Sequence, residues 1–349
     1  MRISIRAKPR ANSLKKMTKK QRKNPTFIAT YCRAGEAKLI GSARFKRAAE
    51  SADLADAVAI IKESGFGGGE SFAAEEYEKL VAAEEKEFVS FIKSYAPDDE
   101  TELYFLLPYD FYNAEALVKC LNLGFDPEKY TATEGEYTTA ELSDYILNGK
   151  DCGLKKELKT AIDEANALLK SGVKSGMQIN ALFIRQKYAC LSRVCGYGFL
   201  SEALSDEITA ANISACLRSE NADYAQKMLI SVKCGKKTAS LTREQISALI
   251  EKNETKAKSA FSGGAFEKLA PLSVEKSKKG LPLTELENYA SSAGVTLLND
   301  KKYTDLSGAF VFSSYAYRRK NEIACVRLCL TCKANGAPSD EILKRLSAV

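Results

Sequence analysis

Apolar residues recur along this chain at the three- and four-residue spacing of amphipathic helices. Alternating runs of Val, Ile and Thr, which would indicate strands, are almost absent. In the segment GLKKELKTAIDEANALLKSG (153–172), one helical stripe contains Leu154, Leu158, Ile162, Ala165 and Leu169. The pattern therefore predicts an all-α protein. Beyond that segment, the predicted helices cover residues 27–50, 52–64, 73–95, 99–123, 137–148, 176–197, 200–219, 222–233, 241–252, 283–293, 309–335 and 339–347.

Three stretches within these helical regions resemble one another, which suggests an internal repeat. The segments 109–130, 208–229 and 321–343 align without gaps over their first dozen residues. The shared columns contain Asn113, Asn212 and Cys325; Leu117, Cys216 and Cys329; and, three positions before the first column, Asp110, Thr209 and Glu322. We therefore predict three related helical lobes, with approximate bounds 25–130, 131–235 and 236–349, after a basic extension of residues 1–24.

Positive charge is concentrated at the N-terminus of the chain. The formal net charge is +7, yet residues 1–24 contain ten Lys or Arg and no Asp or Glu. The remaining 42 basic and 45 acidic residues give the body a net charge of −3. The basic segment could be an arm that binds nucleic-acid phosphates, or a solvated extension without fixed structure. We favour the extension.

The sequence lacks the residues of several common catalytic sites. It has no histidine, which excludes Ser-His-Asp and Cys-His catalysis and histidine-ligated zinc. The stretch GFGGGES (65–71) follows a predicted helix and lacks the Gly-Lys-Ser/Thr ending of a phosphate-binding loop. We predict no enzymatic activity, no cofactor and no small-molecule substrate. Because no apolar run is long enough for a signal peptide or a membrane span, we also expect a cytoplasmic protein without a transmembrane segment.

Acidic residues in the segment AAEEYEKLVAAEEKEF alternate with lysines at helical spacing. Paired carboxylates could in principle perform acid–base chemistry, but this pattern is typical of a solvated helix face. The predicted solvated face contains Glu75, Glu76, Glu84, Glu85, Glu87, Lys79 and Lys86.

The nonapeptide CVRLCLTCK (325–333) raises a choice between a metal site and a packed helix face. Its cysteines, Cys325, Cys329 and Cys332, are spaced by four and three residues, as on one face of a helix. Zinc-binding C-x-x-C pairs usually lie on tight turns and need a second pair, and no other C-x-x-C occurs in the chain. We interpret the face as a packing face, and a cysteine-ligated metalloprotein is the less favoured alternative.

The ends and the middle of the chain carry a family resemblance. The segments TYCRAGEAKLIGSARFKRAAESADLADAVAIIKESGF, YDFYNAEALVKC and SSYAYRRKNEIACVRLCLTCKANGAPSDEILKRL resemble the C subunit of V/A-type rotary ATPases, whose eukaryotic counterpart is subunit d, the 39-kilodalton subunit. The resemblance extends from about residue 27 to the end of the chain. The matching positions are Asp110, Asn113, Tyr315, Arg319, Glu322, Ile323, Val326, Arg327, Lys333, Asn335, Gly336 and Pro338. Cys325 stands where the family usually has Asn.

The resemblance implies a fold and a role. The expected fold is a three-lobed helical funnel with a pseudo-threefold internal repeat. The expected role is that of a non-catalytic adaptor at the cytoplasmic face of the membrane, which couples the central-stalk subunits to the membrane proteolipid ring during proton or sodium transport. The ion-channel stator subunit is a further partner that the resemblance allows. The matched residues are then structural or interface residues. The alternative function is a helical nucleic-acid or ribosome-associated binding protein that uses residues 1–24 as its arm.

Overall fold

The computed structural model describes residues 24–69, 72–172, 176–219, 225–226, 228–235, 237–301 and 307–346. Within these ranges, helices make up nearly all of the regular structure, so the prediction of an all-α protein is confirmed. The basic extension falls almost entirely on residues 1–23, which lie outside the described residues.

The helices are numbered in chain order. They are α1 Pro25–Glu36, α2 Ser42–Glu50, α3 Leu54–Lys62, α4 Tyr77–Tyr95, α5 Asp99–Leu123, α6 Thr139–Asn148, α7 Lys156–Lys170, α8 Gly176–Val194, α9 Gly198–Arg218, α10 Arg243–Ile250, α11 Glu254–Ala260, α12 Leu269–Lys278, α13 Thr284–Lys301, α14 Gly308–Ala334 and α15 Ser339–Arg345. Short 3₁₀ turns lie at Phe66–Gly69, Ala74–Glu76 and Pro127–Lys129. The strands β1 Val232–Cys234 and β2 Lys237–Ala239 pair antiparallel.

Local sequence explains where several helices begin. Asn24 caps α1, since its side chain accepts hydrogen bonds from the backbone N–H groups of Thr26 and Phe27. Thr138 and Glu141 form a capping box at the start of α6, in which each side chain bonds the other residue's backbone N–H. These caps satisfy N–H groups that have no partner within the helix itself.

Two helix predictions are wrong in detail. Residues 27–50 form two helices, because α1 ends at Glu36 and the extended backbone of Gly41 precedes α2. Between them, the backbone N–H of Ile40 donates to the side chain of Glu322, which is a tertiary contact that local periodicity does not reveal.

The second error concerns residues 222–233. Part of this segment lies outside the described residues, but Val232 begins strand β1 instead of continuing a helix. Sequence reasoning also missed α11 and α12, which are short and carry few apolar residues at helical spacing.

Two hydrophobic cores hold the helices together. The larger core contains buried residues of helices α1 to α9, α13, α14 and α15, and the predicted stripe of α7 is buried in it, apart from the partly buried Leu169. The smaller core joins α9, α10, α11, α12 and α13. Helix α9 therefore contributes to both cores and links them through continuous backbone.

The three aligned segments begin in the longest helices, α5, α9 and α14, and each of these helices packs along another helix. Helix α5 packs along α8, α9 packs along α13, and α14 packs along α1. In the first two pairs, the partner is the helix that directly precedes the next repeat helix in the chain. Helix α14 comes last of the three and packs on α1 and also on α4, the helix that directly precedes α5.

Candidate functional site

Helix α14, which carries most of the family-like residues, has a deeply buried N-terminal half. Its Tyr315 is 7% exposed and packs edge-on against Phe91, and its Phe312 stacks on the same ring at a centroid distance of 5.0 Å. A β-carbon at Gly35 of α1 would lie 2.6 Å from the Tyr315 ring, so only glycine permits this approach of the two helices. Tyr315 is therefore a packing residue.

Two arginines join α14 to helix α4. The Nη2 atom of Arg319 lies 2.6 Å from Oε1 of Glu84 and 3.6 Å from Oε2 of Glu87. Nη1 of Arg327 lies 3.0 Å from Oε1 of Glu85, and its Nε lies 3.1 Å from Oε2 of Glu78. Charge-assisted pairs with such short distances fix the register of the two helices.

These ion pairs overturn the prediction of a solvated face at residues 75–87. Glu84 and Glu85 are only 6% and 9% exposed, because they face the arginines of α14 instead of solvent. Glu76, by contrast, is exposed and pairs with Lys79, as predicted. The alternation of acids and lysines is the same in both cases, so only the tertiary partner distinguishes them.

The glycine-rich stretch binds a carboxylate of the protein itself. The backbone N–H of Gly67 donates to Oε2 of Glu84 at 2.9 Å. Gly67 has a φ of +76°, and a β-carbon there would lie 2.0 Å from Leu80. The stretch is therefore adapted to hold Glu84, the same carboxylate that pairs with Arg319.

Glu322 and Lys333 tie α14 to the segment that precedes and follows α2. Glu322 accepts a hydrogen bond from the Ile40 N–H at 2.5 Å, and Lys333 donates to the Ser51 carbonyl at 2.6 Å. Burial raises the pKa of Glu322 to about 7, although the Ile40 N–H and Arg319 act in the opposite direction. Both side chains therefore bind backbone groups that lie just outside the two ends of α2.

The remaining family-like residues of the C-terminus have simple structural roles. Ile323 and Val326 are buried in the larger core at 3% and 0% exposure. Asn335 donates to the Thr331 carbonyl, Gly336 adopts a φ of +69° in the turn, and Pro338 precedes α15. The turn reverses the chain because glycine tolerates the left-handed conformation that ends α14.

Asp110 and Asn113 of α5 hold the loop that follows this helix. Asp110 accepts hydrogen bonds from the backbone N–H groups of Glu136 and Tyr137 at 3.1 Å. The Asn113 amide accepts from the Ala132 N–H at 2.7 Å and donates to the Thr133 carbonyl at 3.2 Å. Burial raises the pKa of Asp110 to about 7. Both residues are structural.

The aligned residue Asn212 of α9 makes the same kind of contact. Its amide accepts from the Ile230 N–H and donates to the Ile230 carbonyl, both at 2.8 Å. Asn113 bonds backbone 19 and 20 residues further along the chain, and Asn212 bonds backbone 18 residues further along. Cys325, in the third segment, has no amide with which to make this two-way contact.

The cysteines of α14 pack inside the protein. Cys325, Cys329 and Cys332 are 3%, 0% and 7% exposed and belong to the larger core. Burial raises the pKa of Cys329 to about 11, so its thiol is protonated at neutral pH. Across the part of the chain that the structure describes, no three His, Cys, Asp or Glu side chains form a group that could hold a metal ion.

A cavity of about 410 Å³ opens between helices α8, α9, α13 and α14. Its wall combines aromatic, small and charged side chains, including Tyr188, Glu207, Ala211, Arg218, Tyr317 and Lys320. A second depression of about 310 Å³ adjoins it, since Glu287, Asn321 and Ala324 line both. The two together form an elongated recess along one face of α14.

The charges of this cavity fall into two groups. Arg218 and Glu287 form an ion pair at 2.6 Å between α9 and α13. Glu207 and Lys320 of the wall form no hydrogen bond or ion pair with any described residue. Lys187 lies behind the wall, with its Nζ 4.5 Å from the centroid of the Tyr188 ring, and Glu207, Lys320 and Glu115 all influence it electrostatically. Burial raises the pKa of Glu207 and lowers that of Lys187, and Lys320 adds to the lowering at Lys187.

Sequence reasoning did not single out the cavity residues, although the repeat alignment contains a signal for them. When the alignment is extended by one residue toward the N-terminus, Pro108, Glu207 and Lys320 fall into one column. Ala211 and Ala324, which both line the recess, also share a column. Aligned positions of helices α9 and α14 therefore line the same cavity.

No helix among the described residues is long and apolar enough to cross a bilayer. The family described as ATP synthase (C/AC39) subunit matches residues 28–345 of the chain. A comparison with curated proteins found no match. The family match spans both cores, the cavity and every family-like residue identified from the sequence.

Proposed function

This chain belongs to the ATP synthase (C/AC39) subunit family, and on that premise we propose that it is a non-catalytic coupling subunit of a V/A-type rotary ATPase or ATP synthase. Its partners would be the central-stalk subunits and the membrane proteolipid ring, with the stator subunit that carries the ion channel as a further neighbour. It would sit peripherally at the cytoplasmic face of the membrane. The observation that carries the proposal is the family match over residues 28–345.

The proposed role is mechanical. Each monovalent ion that crosses about 100 mV releases about 2.3 kcal/mol, so a subunit between ring and stalk must transmit the work of several ions without deforming. The contacts of α14 suit that requirement, because Arg319 and Arg327 connect it to α4 and the Gly35–Tyr315 contact connects it to α1. A rigid helical body of this kind supports transmission of torque.

We propose that the three lobes form a funnel with pseudo-threefold symmetry. Two observations support it. The helix pairs α5–α8, α9–α13 and α14–α4 follow a cyclic order, because each partner directly precedes the next aligned helix, as a closed ring of three units requires. In addition, Asn113 and Asn212 make matching two-way contacts with backbone that follows their helices.

The recess beside α14 is our candidate for the surface that receives the stalk. Its volume of about 410 Å³ has room for side chains of an inserted segment, since small residues such as Ala211 and Ala324 form part of its wall. No observation on the described residues favours the nucleic-acid alternative, and residues 1–24 precede the range that the family matches.

Binding measurements with purified partners test the proposal. The full chain and a variant that lacks residues 1–24 are each mixed with the central-stalk subunits, and separately with the detergent-solubilised proteolipid ring. We expect both proteins to bind both partners with equal affinity. If neither protein binds stalk or ring, the coupling role is wrong. If only the full chain binds, the N-terminal extension is the true contact.

A further inference from the structure

Helices α11 and α12 carry a positively charged surface on a body that is otherwise acidic. Residues 252–281 contain seven lysines and three glutamates, whereas residues 25–349 as a whole have a net charge of −3. Three of the seven lysines form ion pairs with glutamates: they are Lys256, Lys276 and Lys279. The side chains of the other four form no hydrogen bond or ion pair with any described residue: they are Lys252, Lys258, Lys268 and Lys278. Most of this positive charge is therefore not neutralised within the described chain.

Two exposed leucines lie among these lysines. Leu272 of α12 is 36% exposed, and Leu281 in the loop that follows α12 is 50% exposed. Leu272 is four residues from both Lys268 and Lys276, so helical spacing places the three side chains on one face of α12. The opposite face of α12 packs into the smaller core. The helix therefore presents apolar and cationic side chains together to the outside.

Helix α11 extends this surface beside α12. The two helices pack on each other, and Glu254 at the start of α11 influences Lys279 at the end of α12 electrostatically. Lys258 lies one turn further along α11 and is exposed, whereas Ala257 is buried against the smaller core. Lysines of both helices thus contribute to one basic surface.

The residue types on this surface favour a lipid bilayer over a nucleic acid. Anionic headgroups attract lysines, and exposed leucines can enter the boundary between headgroups and acyl chains. Proteins that bind nucleic acids commonly use arginine and exposed aromatic rings that stack on bases. Residues 252–281 contain no arginine, and their two aromatic residues, Phe261 and Phe266, are buried.

We propose that the surface of α11 and α12 binds the anionic headgroups of a lipid bilayer, with Leu272 and Leu281 inserted at the headgroup boundary. The inference rests on the proposed function, which puts the subunit at a membrane, and it adds the surface that contacts lipid. The contact is peripheral, since two side chains enter the boundary and no described helix can cross a bilayer.

Tryptophan fluorescence tests the insertion of the two leucines. The chain contains no tryptophan, so one introduced tryptophan reports on its own position. Full-length Leu272→Trp and Leu281→Trp are mixed with vesicles of phosphatidylcholine, and with vesicles of equal parts phosphatidylcholine and phosphatidylserine. We expect the emission of both variants to shift to shorter wavelength with the anionic vesicles only, because the indole leaves water there. Phe125→Trp is the matched control, since Phe125 is 55% exposed in the loop after α5, and its emission should not shift.

Vesicle sedimentation tests the lysines. A full-length variant with Lys268→Gln and Lys278→Gln should bind the anionic vesicles about tenfold more weakly or worse, because each lysine near an anionic surface adds to binding. The control combines Lys38→Gln with Lys170→Gln, which removes the same charge from exposed positions outside this surface, and should change binding by less than about twofold. The basic extension is present in every variant, so differences between variants report on the exchanged lysines.

The outcomes separate the lipid contact from the coupling role. If neither leucine variant shifts, or if only Phe125→Trp shifts, the assigned surface is wrong. If the leucine variants do not respond to vesicles and the Lys268/Lys278 variant loses affinity for single-stranded RNA, the surface is a nucleic-acid site instead. A fluorescence shift in a chain that binds neither stalk nor ring would overturn the coupling role alone. Circular dichroism verifies the folding of each variant, and either leucine variant suffices if the other does not fold.

Discussion

The interface between α4 and α14 and the cavity beside α14 use the same kinds of charged residue in opposite ways. At the interface, Arg319 and Arg327 meet four glutamates of α4 within the same chain. In the cavity, Lys320 and Glu207 have no hydrogen-bonding partner among the described residues. Arg319 and Lys320 are adjacent in sequence but lie on different sides of one helix.

The comparison indicates how to distinguish structural charges from interface charges. When the partner of a buried charge is removed, the charge that remains unpaired strongly destabilises the folded state. A charge that remains in a recess without a partner contributes little to folding and is available for binding. Substitutions in the two regions should therefore change different measured quantities.

We expect the largest loss of stability from substitutions at the interface between α4 and α14. Replacing Arg319 by Ala leaves the buried carboxylate of Glu84 without its cation, and we expect a loss of about 3–5 kcal/mol in the free energy of unfolding. Urea denaturation measures it. Arg345→Ala is the control, because Arg345 pairs with Glu341 on the exposed surface and should cost less than about 1 kcal/mol. Similar costs for the two variants would remove the distinction between the regions.

The second prediction concerns the dependence of the free energy of unfolding on pH. The pKa of Glu322 rises from 4.5 to about 7 on folding because the carboxyl group is buried. The folded state therefore favours the neutral form of Glu322. The contribution of this residue to the free energy of unfolding is greatest below pH 4.5 and is lost as the pH rises through 7. The loss is roughly 3 kcal/mol from this residue.

Glu322→Gln should remove that part of the pH dependence, since the amide stays neutral and its carbonyl can still accept from the Ile40 N–H. Thermal unfolding between pH 4 and pH 8 provides the measurement. Asp110, whose pKa is also raised to about 7, should retain its own contribution in this variant. An unchanged slope for Glu322→Gln would contradict the prediction.

A smaller loss of stability is expected from substitutions that remove the neutral side-chain hydrogen bonds of Asn113 and Asn212. Asn212→Ala leaves the N–H and C=O groups of Ile230 without their partner, and we expect a loss of about 1–3 kcal/mol. Asn113→Ala should cost a similar amount, because its contacts with Ala132 and Thr133 are of the same kind. Chemical denaturation of both variants checks this. A large cost at one site and none at the other would weaken the proposed equivalence of the lobes.

The smallest effect on stability should come from the cavity. Lys320→Ala removes an exposed side chain without an internal partner, so the free energy of unfolding should change by no more than about 0.5 kcal/mol. Differential scanning calorimetry measures it against the unmodified chain. A loss comparable to that of Arg319→Ala would show that Lys320 is structural.

The spacing of apolar residues is sufficient to predict the helical class of the protein. The period of the apolar residues predicted α5 at its observed bounds, and Asp99–Leu123 is that helix. Periodicity succeeds here because a helix must bury one face, and that face is visible in the spacing of apolar residues. The alignment of Asn113 with Asn212 also identified two residues that later proved to make matching contacts.

The burial and the partners of individual polar residues, by contrast, become visible only in the folded chain. The break at residues 37–41 and the burial of Glu84 and Glu85 depend on contacts with chain segments far away in the sequence. The same holds for Arg319 and Lys320, which adjoin in the sequence but differ in the partner they find. Apolar periodicity reports which side of a helix is covered, but the energy of a charge depends on what lies opposite it across the packed interface.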